Sequence, residues 1–98
     1  GAIKTVDRSG RTVYRTGEET PTQGLGELIE SIVHNGSLIV IHTTQSSAPL
    51  VALHLDKQRP EGVLGTVAGD DTIFVAPSSV KTIDRTLRTI RKEFGLRA

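Results

Sequence analysis

The sequence predicts an α+β domain with two layers, a four-stranded, largely antiparallel sheet and helices packed on one face. Three observations predict it. Short apolar runs rich in β-branched residues occur at Ser37–Thr44, Val63–Ala68 and Thr72–Ala76, each bounded by turn residues. An Asn35-Gly36 pair separates the first of these from a further apolar run, Ile32-Val33-His34. Apolar residues at helical spacing fill the stretch around Leu50–Leu55 and the final segment from Val80 to Phe94.

In chain order, Ala2–Val6 and Thr12–Arg15 alternate apolar and polar side chains around Asp7-Arg8-Ser9-Gly10, which predicts a β-hairpin over residues 1–16 carrying Lys4, Arg8, Arg11 and Arg15. The stretch Thr16-Gly17-Glu18-Glu19-Thr20-Pro21 has no apolar residue, so a linker is expected over residues 17–22 and a separate domain over 23–98. Leu25, Leu28, Ile29, Ile32 and Val33 fall at helical spacing, yet Asn-Gly between apolar runs is a strong hairpin signal because both residues accept the positive φ of a type I′ turn. The expected compromise is a helix ending near Glu30, then strands Ser31–His34 and Ser37–Thr44. Ser46 or Ser47 supplies an N-cap, and Pro49 sits in the first turn of a helix reaching about Gln58. Leu50, Val51, Ala52, Leu53 and Leu55 cover more than one side of that helix, which implies burial on two sides, the second against another subunit. Arg59-Pro60-Glu61-Gly62 breaks the pattern. Two strands follow around Gly69-Asp70-Asp71, and a last helix begins after Ser78 or Ser79 with Val80, Ile83, Leu87, Ile90 and Phe94 as its apolar stripe.

Ninety-eight residues suffice for one core, and with only Tyr14, Phe74 and Phe94 as aromatics that core must be aliphatic. A core so small makes self-association a plausible source of added stability. The absence of cysteine excludes disulfides, thiol catalysis and the common structural zinc sites, and points to a cytoplasmic protein. No apolar run approaches the roughly 20 residues that cross a bilayer, and no signal-peptide pattern opens the chain, so a soluble protein without a membrane partner is expected. Twelve Lys and Arg against 11 Asp and Glu leave a net charge of +1, without the bias of a nucleic-acid binder. The sequence has no Met and opens inside a strand-like pattern, so it is expected to be a fragment.

The most informative segment is the turn Gly69-Asp70-Asp71 between two apolar strands. Adjacent carboxylates repel unless donors or a cation meet them. The plain reading is a solvated turn, since Asp and Gly favour turns for local reasons. A divalent metal would want more oxygens than two neighbouring side chains supply, and a polymerase-type Gly-Asp-Asp needs far more chain. A guanidinium fits better, because its planar fork donates paired hydrogen bonds to carboxylates.

The run Leu38-Ile39-Val40-Ile41-His42-Thr43 and the string Glu61-Gly62-Val63-Leu64-Gly65-Thr66-Val67-Ala68-Gly69-Asp70-Asp71-Thr72-Ile73-Phe74 resemble the C-terminal domain of bacterial arginine repressors, closely from Leu38 to Pro77 and loosely beyond. The resemblance implies trimers that pair into hexamers, L-arginine as corepressor between them, and a transcription regulator of arginine biosynthesis that is not an enzyme and needs no cofactor. It implies that Asp70 and Asp71 hold the ligand, that Ala68 offers its carbonyl, that Thr66 lines the pocket, and that Asp56 lies near the ligand's amino group. The opening hairpin is similar to the wing of a winged helix-turn-helix, which would set Arg8 and Arg11 beside operator DNA. One stretch departs from the pattern: where the family usually reads Pro-Gly-x-Ala-Gln, this chain reads Gln45-Ser46-Ser47-Ala48-Pro49. Pro49 cannot replace the glutamine's hydrogen bond, and Gln45 is the substitute within reach of the loop. The alternative is a constitutive oligomerisation module, or a paralogue with an altered or lost effector. A small enzyme on a similar fold is the third reading. His42 and His54, 12 residues apart without an acidic partner in sequence, read as structural, and Ser46 and Ser47 as helix caps.

Overall fold

The computed structural model describes residues 22–97. The hairpin expected over 1–16, with Arg8 and Arg11, and the linker up to residue 21 lie outside the described residues.

The chain runs through α1 (Thr22–Leu25), a 3-10 turn (Gly26–Leu28), β1 (Ile29–His34), β2 (Ile39–Thr43), α2 (Ala48–Gln58), β3 (Val63–Ala68), β4 (Thr72–Pro77), a second 3-10 turn (Val80–Thr82) and α3 (Ile83–Glu93). The strands form one antiparallel sheet in the order β1-β2-β4-β3. The fold class expected from the sequence is therefore the observed one. β3 occupies the expected residues, and β4 extends one residue further, to Pro77.

Side-chain alternation sorts the sheet into two faces. Ile32, Ile41 and Ile73 lie opposite one another on β1, β2 and β4, as do Ile39 and Val75 on β2 and β4, and all are buried. They pack against Val51, Ala52 and Leu55 of α2 and Ile83 and Ile90 of α3, with Phe94 closing the end. Each such aliphatic side chain removed from water contributes about 1.5–3 kcal/mol before conformational entropy is charged against it. The core is aliphatic apart from Phe94, as the composition requires. His54 also points inward, its Nε2 2.9 Å from Glu93 Oε2 and its ring 5.2 Å from that of Phe94, so it ties α2 to the end of α3.

Four local expectations are corrected. The first helix, α1, ends at Leu25, a 3-10 turn carries the chain to Leu28 and β1 starts at Ile29, because Gly24 and Gly26 weaken the helix and the apolar residues that follow are claimed by the ladder with β2. Gly26 also packs too closely on the Phe94 carbonyl to carry a side chain. Next, the hairpin is not a type I′ turn. His34 pairs with Ile39, so the loop spans residues 35–38, and Gly36 has φ 95° while Asn35 does not enter the positive region. Asn35 instead closes the loop with its side chain, Oδ1 accepting from Ser37 N at 3.0 Å and Leu38 N at 2.9 Å. Third, Ser47 occupies the N-cap position of α2 but makes no capping bond with its side chain, and Ser46 lies outside the helix at φ 66°. The Ser47 hydroxyl is drawn to Thr44 Oγ1 at 2.8 Å. Finally, Val80 does not join the apolar stripe. It sits in a 3-10 turn and is exposed, whereas Thr86 is buried within α3.

The turn into β3 is shaped by two left-handed residues. Arg59 ends α2 at φ 48°, and Gly62 at φ 93° lies so close to α3 that an added Cβ would stand 2.5 Å from Thr86 Oγ1. This close approach sets the angle at which β3 leaves α2, and so where the far end of β3 delivers the aspartate turn.

Candidate functional site

Asp56, Thr66, Ala68, Asp70 and Asp71 gather along the seam between α2 and the outer strand β3. Ladder pairing places Thr66 opposite Val75 and Ala68 opposite Ile73, and both of those partners face the helices. Thr66 and Ala68 therefore lie on the helix side of β3. Thr66 Oγ1 donates to Asp56 Oδ1 at 2.8 Å, linking the strand to the C-terminal half of α2.

At the other end of the seam the turn from β3 to β4 docks on the start of α2. Ala48 N donates to the Asp70 carbonyl at 3.1 Å and Thr43 N to the Asp71 carbonyl at 2.8 Å, while Gly69 N closes the turn on Thr72 O at 2.8 Å. These backbone bonds fix the Cα positions of both aspartates. Their side chains have separate partners: Asp70 accepts from Ser46 N and Ser46 Oγ, both at 3.2 Å, and Asp71 accepts from Thr72 Oγ1 at 3.0 Å. Both carboxylates are exposed. Mutual repulsion is thus relieved by short neutral donors on each, and further acceptor capacity faces solvent. Among the described residues no lysine or arginine forms an ion pair with either aspartate or with Asp56.

Asp56 follows Ala48 by two turns of α2, about 12 Å further along the axis at the usual helical rise. The seam therefore carries carboxylates at both ends, with Ala68 and the Thr66 hydroxyl between them. This layout suits a ligand bearing a cationic group at each end. Gln45 is exposed in the loop before α2, and its side chain is not among the hydrogen-bond partners of Asp56, Asp70 or Asp71. The partner that sequence reading missed is Ser46, which lies 24 residues from Asp70 with no local pattern to announce the pairing.

The remaining polar candidates do not assemble into reaction chemistry. His42 is exposed on the sheet face away from the helices, since its neighbours Ile41 and Thr43 are buried on the helix side, and His54 lies in the core. The sheet separates the two rings. Among the described residues no group of three or more His, Asp or Glu is arranged to hold a metal ion, and no helix is long and apolar enough to cross a membrane.

The face of the sheet opposite the helices is also informative. Val33, Val40, Phe74 and Val67 are mutually opposite on β1, β2, β4 and β3, which makes one apolar row across all four strands. Phe74 is 49% and Val67 72% exposed. On α2, Leu50 and Leu53 are each 51% exposed on the side away from the core, the second apolar side expected from the sequence.

Residues 25–92 match the family model described as arginine repressor, C-terminal domain. Arginine repressors of Shewanella frigidimarina, Shewanella loihica and Shewanella sediminis are 44%, 42% and 43% identical to the chain over 100 aligned residues. Each alignment covers 97% of this chain and 64% of the relative, so the chain spans somewhat under two thirds of the length of these curated relatives. With the matched region running from the first turn through most of α3, and with both aspartates of the docked turn inside it, the chain belongs to the arginine repressor family through that family's C-terminal domain.

Proposed function

We propose that this chain is the oligomerisation and effector-binding part of a cytoplasmic transcription regulator of arginine biosynthesis, with L-arginine as its corepressor and no catalytic role. The observation that carries the reading is the pair Asp70 and Asp71, fixed by backbone bonds to the start of α2 and the end of β2 and facing solvent, with Asp56 at the far end of the same seam. L-arginine has a guanidinium at one end and an ammonium at the other. A guanidinium on Asp70 and Asp71, a carbonyl acceptor at Ala68, the Thr66 hydroxyl in the wall and an ammonium towards Asp56 match the ligand's cationic groups to the acceptors of the seam. Gln45, exposed in the loop next to Ser46, is assigned to the ligand's remaining polar groups.

Self-association supports the same reading. The apolar row Val33–Val40–Phe74–Val67 and the Leu50 and Leu53 face of α2 are two separate exposed apolar surfaces, the kind that mark association sites on small domains. Two surfaces serve a trimer and a pairing of trimers. Operator DNA would be engaged through the part of the regulator that precedes this domain, with Arg8 and Arg11, in the stretch that the sequence reads as a wing, on the phosphate backbone. Arginine regulates such a particle only by binding the hexamer better than the trimer.

A constitutive module remains the second reading, and a specific feature favours it. Pro49 lies at the first turn of α2 and offers neither a side-chain donor nor a backbone N–H beside the proposed ligand. Solution mass separates the two. On the effector reading, millimolar L-arginine doubles the assembly from three chains to six, whereas a constitutive module keeps one mass with or without it.

A further inference from the structure

We infer that Ser46 is a positioning residue for the effector, aiming the Asp70 carboxylate as a preformed two-oxygen acceptor; this rests on the proposed role of Asp70 in binding L-arginine. Ser46 is one of only two non-glycine residues at positive φ among the described residues, at 66°. That conformation disfavours any side chain, and a residue held there points to a local constraint. The constraint is visible. Ser46 N reaches Asp70 Oδ2 and Ser46 Oγ reaches Asp70 Oδ1, each at 3.2 Å, so one residue grips both oxygens of the carboxylate. The positive φ turns the Ser46 N–H and hydroxyl to the same side of the loop.

The consequence for a ligand follows from counting acceptor positions. An ionised carboxylate has about four lone-pair sites, two on each oxygen. Ser46 occupies one on each and leaves one on each. The two that remain are the number required by the parallel N–H groups of a guanidinium fork. Since Ala48 N already fixes the Asp70 backbone through its carbonyl, the freedom left to the side chain lies in its own torsions, of which the terminal one is broad and weakly restrained. The Ser46 grip removes that freedom before the ligand arrives. Without the hydroxyl, one oxygen is unheld and the ordering cost falls on the binding step.

Titration of the whole chain with L-arginine, alongside thermal melting, tests this with two variants whose effects on stability differ. Ser46→Ala keeps the disfavoured φ and loses the hydroxyl, so it lowers Tm. Ser46→Gly loses the same hydroxyl but relieves the φ constraint, so its Tm stays within a few degrees of the parent. Both are expected to weaken L-arginine affinity by about 3- to 10-fold, the effect of one hydrogen bond to a charged group's holder. Loss of affinity in Ser46→Gly without loss of stability is the signature of positioning. Parental affinity, within twofold, in Ser46→Gly overturns the inference even though the parent binds arginine. A parent chain that binds no L-arginine at millimolar concentration overturns the effector reading itself, and this inference with it.

Discussion

Asp70→Ala is expected to weaken L-arginine binding at least 30-fold in a calorimetric titration, with little change in the fold. Removing one partner of a hydrogen-bonded charge pair that becomes buried between paired trimers costs about 2–5 kcal/mol, and each 1.4 kcal/mol is roughly tenfold in affinity. The loss should be greater than for Asp71→Ala, because Asp70 has both oxygens held in place from the loop before α2, whereas among the described residues Asp71 has a single side-chain partner, its neighbour Thr72. The fold survives the change for a definite reason. The bond that docks the turn on α2 uses the Asp70 carbonyl, which alanine retains, and the Ser46 groups released are exposed to water and find partners there. An Asp70→Ala chain that binds L-arginine within threefold of the parent would remove Asp70 from the site.

Phe74→Asp is expected to give a smaller assembly mass than the parent's at the same concentration, with the circular dichroism of the fold retained. Phe74 stands at the middle of the apolar row on the helix-free face, flanked by Val40 on β2 and Val67 on β3. It is half-exposed in the isolated chain, so the core formed by Ile73 and Val75 on the opposite face does not depend on it. In an assembly built on this row the substitution both forfeits an aromatic contact and buries a carboxylate without a partner, a penalty of several kcal/mol in each chain that enters the interface. A variant with the parent's mass in sedimentation would place the interface elsewhere on the domain.

How much was legible in the sequence depended on whether the interactions that decide a feature are local. β3 and β4 were readable because β-branched runs bounded by Pro60-Glu61-Gly62 and Gly69-Asp70-Asp71 have one plausible state. The stripe of α3 was readable from Ile83, Leu87, Ile90 and Phe94, with Val80 lost to a 3-10 turn that Ser79 initiates by accepting from Lys81 N at 3.2 Å. The segment from Leu25 to Val33 was misread because its helical spacing is real, but the ladder to β2 outweighs it. At Asn35-Gly36 the hairpin was legible and its geometry was not: a side chain able to bond Ser37 N and Leu38 N competes with the two-residue turn. Within the candidate site, Ala68, Asp70 and Asp71 share one turn and came together by sequence alone. Asp56 and Thr66 meet because α2 folds back along β3, and Ser46 meets Asp70 because the turn docks on the start of α2. Such contacts, between residues 10 and 24 apart, leave no periodic trace.

The role proposed for the exposed aspartate turn is that of an acceptor for a flat cation. Paired calorimetric titrations of the chain with L-arginine and with L-citrulline, which has nearly the same shape but an uncharged urea in place of the guanidinium, test it most directly. Saturable binding of L-arginine is expected, with affinity for L-citrulline lower by about 30-fold or more, the loss that accompanies removal of charge from a paired hydrogen bond. Equal affinity for the two, or heat from neither at millimolar concentration, would contradict it.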